Sequence, residues 1–90
     1  LKAGEFFGEI QQKRQFAEVT MSEILHPRKR NCPAHSHEQA SFNLLLNGSY
    51  SEKFGRKEFS YNPMTFWWHP PEIFHKDEVG KTGGRFFTVE

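Results

Sequence analysis

Five histidines stand unevenly along this 90-residue chain: His26, His35, His37, His69 and His75. The pair in His35-Ser36-His37 carries most information. In an extended segment residues i and i+2 project from one face, so both imidazoles can converge on one point. Imidazole suits divalent zinc, copper, nickel or iron, and a third histidine from another strand would complete a facial set. His75, just beyond Pro70-Pro71, is the best third candidate. The same residues read more simply as surface or hydrogen-bonded histidines, and spacing alone does not choose.

The elements that must hold these side chains are strands. Ala17, Val19 and Met21 alternate with Glu18, Thr20 and Ser22, the period-2 signature of a strand over residues 16–25. Asn47-Gly48 predicts a turn between strands at 41–46 and 49–54, and Gly55-Arg56 a turn into 57–61. Asn62-Pro63 opens another turn before a strand at 65–69, which Pro70-Pro71 stops because neither residue can donate to a ladder. Gly80 and Gly83-Gly84 predict a final turn before 85–89. About seven or eight short strands with turns at intervals of roughly 8–12 residues predict an all-β sandwich or barrel.

Composition bounds the rest. Residues 1–90 read as a single domain, with 14 aromatics (10 Phe, 2 Trp, 2 Tyr) in an apolar set of only 36%. No run approaches the roughly 18 apolar residues of a membrane-spanning helix. One cysteine, Cys32, excludes an intramolecular disulfide framework and fits a reducing compartment. The start, Leu1-Lys2-Ala3-Gly4-Glu5, lacks a secretory layout, so a cytoplasmic protein is expected. A net charge of +1 argues against strong attraction to nucleic acid or anionic membrane. The basic cluster His26-Pro27-Arg28-Lys29-Arg30 reads as a solvated loop rather than a phosphate-contacting patch. Cys32 lacks the second close cysteine of a structural zinc site and reads as inert. The chain stops inside a strand-like segment, residues 86–90, as a piece of a longer protein would.

His35-Ser36-His37, three residues, Ser41, six residues and Gly48 together resemble the first cupin motif, with Ser41 where a glutamate is usual. Pro70 followed by His75 resembles the second. The stretches 67–75 and 83–90 are similar to the sensor domain of AraC-type transcription regulators. The resemblance covers roughly residues 16–90, most of the chain. It implies a cupin-like double-stranded β-helix, a jelly-roll β-barrel. It also implies a small-molecule effector, possible sugar chemistry by family analogy, and a homodimer. DNA would be contacted only through a C-terminal module with two helix-turn-helix motifs, absent from these residues.

The departures count. Met64 and Glu72 stand where the second motif has glycines, and the Ser41 hydroxyl is a poor ligand beside a carboxylate. What remains is a three-histidine set, His35, His37 and His75, able to take zinc, nickel or iron structurally, and no enzyme is expected. The alternative is a small cupin metalloenzyme, dioxygenase- or isomerase-like; a third reading is a carbohydrate- or protein-binding β-module.

Strand parity completes the expectation. Without a bulge near Gln39-Ala40, the residues His35, His37, Ser41, Asn43 and Leu45 share one face and line a mildly polar pocket. Phe42, Leu44 and Leu46 take the other face and need a cover. One ring of Trp67-Trp68 can face that pocket, although both read more simply as core or interface rings. The candidate ligand-binding set is therefore His35, His37, Ser41, Asn43, Trp67 and His75.

Overall fold

Two long antiparallel strands organise the protein: β4 (Ser41–Phe54) and β7 (His75–Val89). Around them lie β1 (Glu9–Phe16), β2 (Val19–His26), β3 (Arg30–His35), β5 (Lys57–Tyr61) and β6 (Phe66–His69). This computed structural model describes residues 1–2 and 4–90 and holds no helix among them. No helix is therefore long and apolar enough to cross a membrane. The strand path is β1-β2-β7-β4-β5, with β3 also on β7 and β6 also on β4.

Each long strand serves two sheets. The first half of β4 pairs with β6 and with the end of β7, which in turn pairs with β2. The second half of β4 pairs with β5 and with the start of β7, which pairs with β3. Every pairing is antiparallel, and the result is an all-β jelly roll.

The change of sheet happens where the sequence predicts hairpin turns. Asn47-Gly48 and Gly83-Gly84 do not end strands; β4 and β7 run through both. Their register instead shifts between Leu45 and Asn47 and again between Gly48 and Tyr50. Gly48 has φ +90°, and a Cβ there would lie 2.1 Å from the Gly83 carbonyl oxygen. Only glycine tolerates both that backbone region and that approach. The turn chemistry is real, but it is spent on a kink. Inward residues are odd-numbered before it on β4 (Ser41, Leu45) and even-numbered after it (Glu52); β7 likewise changes from odd (Val79) to even (Phe86).

A second difference lies in the segment read as one strand over 16–25. Its first residues turn instead: Ala17 takes φ +54° between Phe16 and Val19, which pair across the β1–β2 hairpin. With no glycine, asparagine or proline there, nothing local marks the turn. Along β2 the inward residues are Thr20, Ser22, Ile24 and His26, so the mostly polar set of the alternation is the buried one. The apolar core is small: Ile24, Leu45 and Phe86, with Phe6, Tyr50, Tyr61 and Trp67 packed against it. Trp67 stacks flat on Tyr61, ring centroids 4.1 Å apart. As the parity argument requires, Ser41 and Leu45 are buried while Phe42 faces out.

Candidate metal and ligand cavity

Five strands, the loop after β3 and the segment ahead of β1 deliver side chains to one cavity between the sheets, with Ile24 and His26 coming from β2. β7 supplies His75 and Asp77, which share a face because they stand two residues apart. His35 is the last residue of β3, and His37 follows in the loop beyond it. β6 delivers Trp67 and His69, and β4 delivers Ser41 and Asn43 from one half and Glu52 from the other. Phe6 and Phe7, ahead of β1, close over the histidines, with Phe7 edge-on to His35 at 4.9 Å. All six residues of the expected ligand-binding set line this cavity. Its volume is about 60 Å³. That is room for an ion and a few water molecules, each needing roughly 10–15 Å³.

Hydrogen bonds fix the orientation of three imidazoles. Nδ1 of His35 lies 2.7 Å from the Pro33 carbonyl, Nδ1 of His69 lies 3.0 Å from the Pro70 carbonyl, and Nδ1 of His75 lies 2.5 Å from Asp77 Oδ1. Carbonyl and carboxylate oxygens only accept, so each Nδ1 carries the hydrogen and each Nε2 keeps its lone pair. The Nε2 atoms of His69 and His75 are buried without a hydrogen-bond partner, as is Nδ1 of His37. The rings crowd together: His75 is 4.3 Å from His35 and 4.4 Å from His69, centroid to centroid.

Burial favours the neutral form of His35, His37 and His69. It lowers His35 and His69 below the ordinary histidine value, and it brings His37 down to about 4, with the neighbouring imidazoles adding to the effect. Burial also pushes Glu52 up to about 7, helped by the charge of Asp77, and the Cys32 thiol up to about 11. The thiol is thus the inert group the sequence suggests.

The charge balance of the cavity is unusual. Glu52 is 2% exposed and Asp77 8%, and both contact only histidines among their ionic partners. No lysine or arginine lines the cavity among the described residues. Two buried carboxylates without a cation are costly. Two donor groups have atoms within 4.8 Å of one another: His35, His37 and His75, and Glu52, His69 and His75. Imidazole nitrogens with carboxylate oxygens suit a borderline divalent transition ion, so the residues fit a metal.

Asp77, Glu52 and His69 were not in the set expected from sequence. Asp77 was visible as the i+2 neighbour of His75. His69 pairs across the ladder with Ser41, a contact no spacing rule gives. Glu52 has the opposite parity to Ser41 and reaches the cavity only because β4 inverts at Gly48. Ser41 itself joins a polar wall: Asn43 Nδ2 donates to its Oγ at 3.0 Å, and Thr88 Oγ1 donates to Asn43 Oδ1 at 3.0 Å.

Most other features lie outside the cavity. Trp68 faces solvent, so the two tryptophans divide as neighbours on a strand must. Of the basic cluster read as a solvated loop, Pro27, Arg28 and Lys29 are an exposed loop beside a second groove. His26, however, is buried at the end of β2 and lines the cavity, and Arg30 opens β3 and sits over the Phe7 ring at 5.3 Å.

No family model matches the chain, and no curated protein matches it in sequence. Solved structures do match in shape. A cupin-2 domain protein from Shewanella frigidimarina is 12% identical with a TM-score of 0.72, over 93% of this chain and 83% of that one. A candidate mannose-6-phosphate isomerase from Ralstonia eutropha is 11% identical with a TM-score of 0.77, over 90% and 81%. A cupin-superfamily protein from Desulfitobacterium hafniense is 13% identical with a TM-score of 0.69, over 93% and 81%. At such identities the likeness establishes architecture alone: the chain has the cupin fold.

Proposed function

We propose that this chain is the small-molecule-sensing and dimerisation module of an AraC-type transcription regulator, with a divalent transition metal in its cavity. The observation that carries the binding reading is the set of buried, unpartnered imidazole nitrogens facing two carboxylates that no lysine or arginine neutralises. The order of motifs in the sequence supports the regulator class. His35, His37 and His75 would hold the ion, which when bound supplies a Lewis-acidic point for a ligand oxygen. Ser41, Asn43 and Thr88 form a polar wall able to exchange hydrogen bonds with a single hydroxyl group that an effector inserts into the cavity. Trp67 offers a ring, and Phe6 and Phe7 keep water out.

The dimer uses the outer face of β4, β6 and β7. Phe42, Phe66, Trp68 and Phe87 stand there 45%, 63%, 53% and 37% exposed. Together these rings leave on the order of 400 Å² per copy in solvent. Two copies would thus cover about half of a standard interface of roughly 1,600 Å² with rings alone. DNA is contacted by residues outside this chain.

Metal analysis of protein prepared without an affinity tag is the first test. About one zinc, nickel or iron per chain, with a thermal shift from a monosaccharide panel, supports the reading; trace metal and no shift reject it. Two helix-turn-helix units encoded after Glu90 support the regulator assignment, and a stop codon there rejects it.

A second reading, a metal-dependent isomerase-like cupin, is favoured by the Nε2 lone pairs aimed into the cavity and by the likeness in shape to the Ralstonia protein. Turnover of a sugar phosphate by the metal-loaded chain would select it.

A further inference from the structure

The first cupin motif places a carboxylate where this chain has Ser41, which leaves three imidazoles and no carboxylate among the motif positions. Two carboxylates nevertheless stand behind His75. Both address Nδ1 of His75: Asp77 Oδ1 at 2.5 Å and Glu52 Oε2 at 3.3 Å. The other oxygen of Asp77 lies 3.5 Å from Nε2 of His35, so one carboxylate spans two of the three histidines. The Nδ1–H of His75 donates to Asp77, and its Nε2 is left buried and unpartnered. A carboxylate behind a ligating imidazole fixes its tautomer and makes it a stronger donor.

We propose that Asp77 is the positioning residue of this centre: it holds His75 with Nε2 turned to the cavity and passes through that ring the negative charge that Ser41 cannot supply as a ligand. This rests on the metal reading above. A purely structural Asp77 would only satisfy the Nδ1–H. Asparagine would then serve as well, since its carbonyl oxygen accepts the same bond.

The test compares Co²⁺ and Zn²⁺ affinities of the full chain, by competition with a chromophoric chelator, for wild type, Asp77→Asn and Glu78→Gln, an exposed carboxylate beside it on β7 and outside the cavity. Asp77→Asn is expected to bind roughly 10–100-fold more weakly. Glu78→Gln is expected to stay within a few-fold of wild type. Equal affinity of Asp77→Asn and wild type overturns the positioning role and leaves the metal reading standing. A wild type that binds neither ion overturns the metal reading, and this one with it. Long-range ¹⁵N–¹H correlation on the metal-free wild type needs no variant: His75 should carry its hydrogen on Nδ1, and finding it on Nε2 overturns the proposal.

Discussion

On β2, β4, β6 and β7 the inward face joins the apolar Ile24, Leu45, Trp67 and Phe86 to the polar Thr20, Ser22, Ser41, Asn43, His69 and Thr88, whereas the outward residues Met21, Phe42, Leu44, Phe66, Trp68 and Phe87 are apolar. The register sets the outward residues in two rows. Met21, Val89, Phe42 and Trp68 adjoin across four strands, and below them run Phe87, Leu44 and Phe66. Phe42 stacks on Phe66 with centroids 5.5 Å apart. This departs from the usual division of a soluble sheet. Inside, Ser41, Asn43 and Thr88 bond to one another, while Ser22 Oγ and Nε2 of His69 are buried without a partner. The outside is an apolar patch of the kind that marks an interaction site.

The strongest way to break this division is to remove the kink that creates the inner face. Gly48→Ala should cost on the order of 4 kcal/mol or prevent folding, because its Cβ meets backbone at 2.1 Å and its φ is +90°. Gly55→Ala, with φ +60° but nothing within 4 Å, should cost only about 1 kcal/mol. Urea unfolding of both variants checks the contrast, and equal losses would refute the role of close approach.

Next comes the small apolar floor of the inner face. Leu45 is fully buried, and Leu45→Ala should cost about 3 kcal/mol by the same measurement.

The inner carboxylate gives a signed pH effect in metal-free protein. Glu52 rises in the fold from 4.5 to about 7, so its contribution is present below 4.5 and lost as pH rises through 7. His37 falls from 6.5 to about 4, so its contribution is present above 6.5 and lost as pH falls towards 4. The two oppose each other in one window, and Glu52→Gln should separate them. In chelator, this variant should gain about 2–3 kcal/mol on wild type between pH 5 and pH 8. An unchanged difference would mean that Glu52 carries no buried charge.

The smallest effect belongs to the outer face. Trp68→Ser should change monomer stability by less than about 1 kcal/mol. Sedimentation should nevertheless show a dimer shifted to monomer; a dimer that survives the change uses another surface.

The sequence was most legible where local chemistry and tertiary structure agree. The strand at residues 57–61 has the same bounds as β5, because Gly55-Arg56 and Asn62-Pro63 bracket it. The parity of Ser41, Asn43 and Leu45 was readable because no bulge interrupts that half of β4. The converse holds at Gly48. A turn signal cannot tell a chain reversal from a kink when the deciding contact, Gly83, is 35 residues away. Glu52 was hidden by that kink, and the hairpin at Ala17 by a residue that ordinarily avoids positive φ. Phe6 and Phe7 reach the cavity through long-range packing that no period encodes.

Because β4 and β7 invert at the same level, the kink separates two neighbourhoods of the cavity. Ser41, Asn43 and Thr88 lie on one side of it, and Glu52, His75 and Asp77 on the other. Substitutions in the first group can change the polar wall without turning Glu52, His75 or Asp77. A one-residue insertion after Gly48 in β4 alone would do the reverse, rotating Glu52 to the outside while Ser41 and Asn43 stay in place. The glycine crossing thus makes the two neighbourhoods separately variable within one short chain.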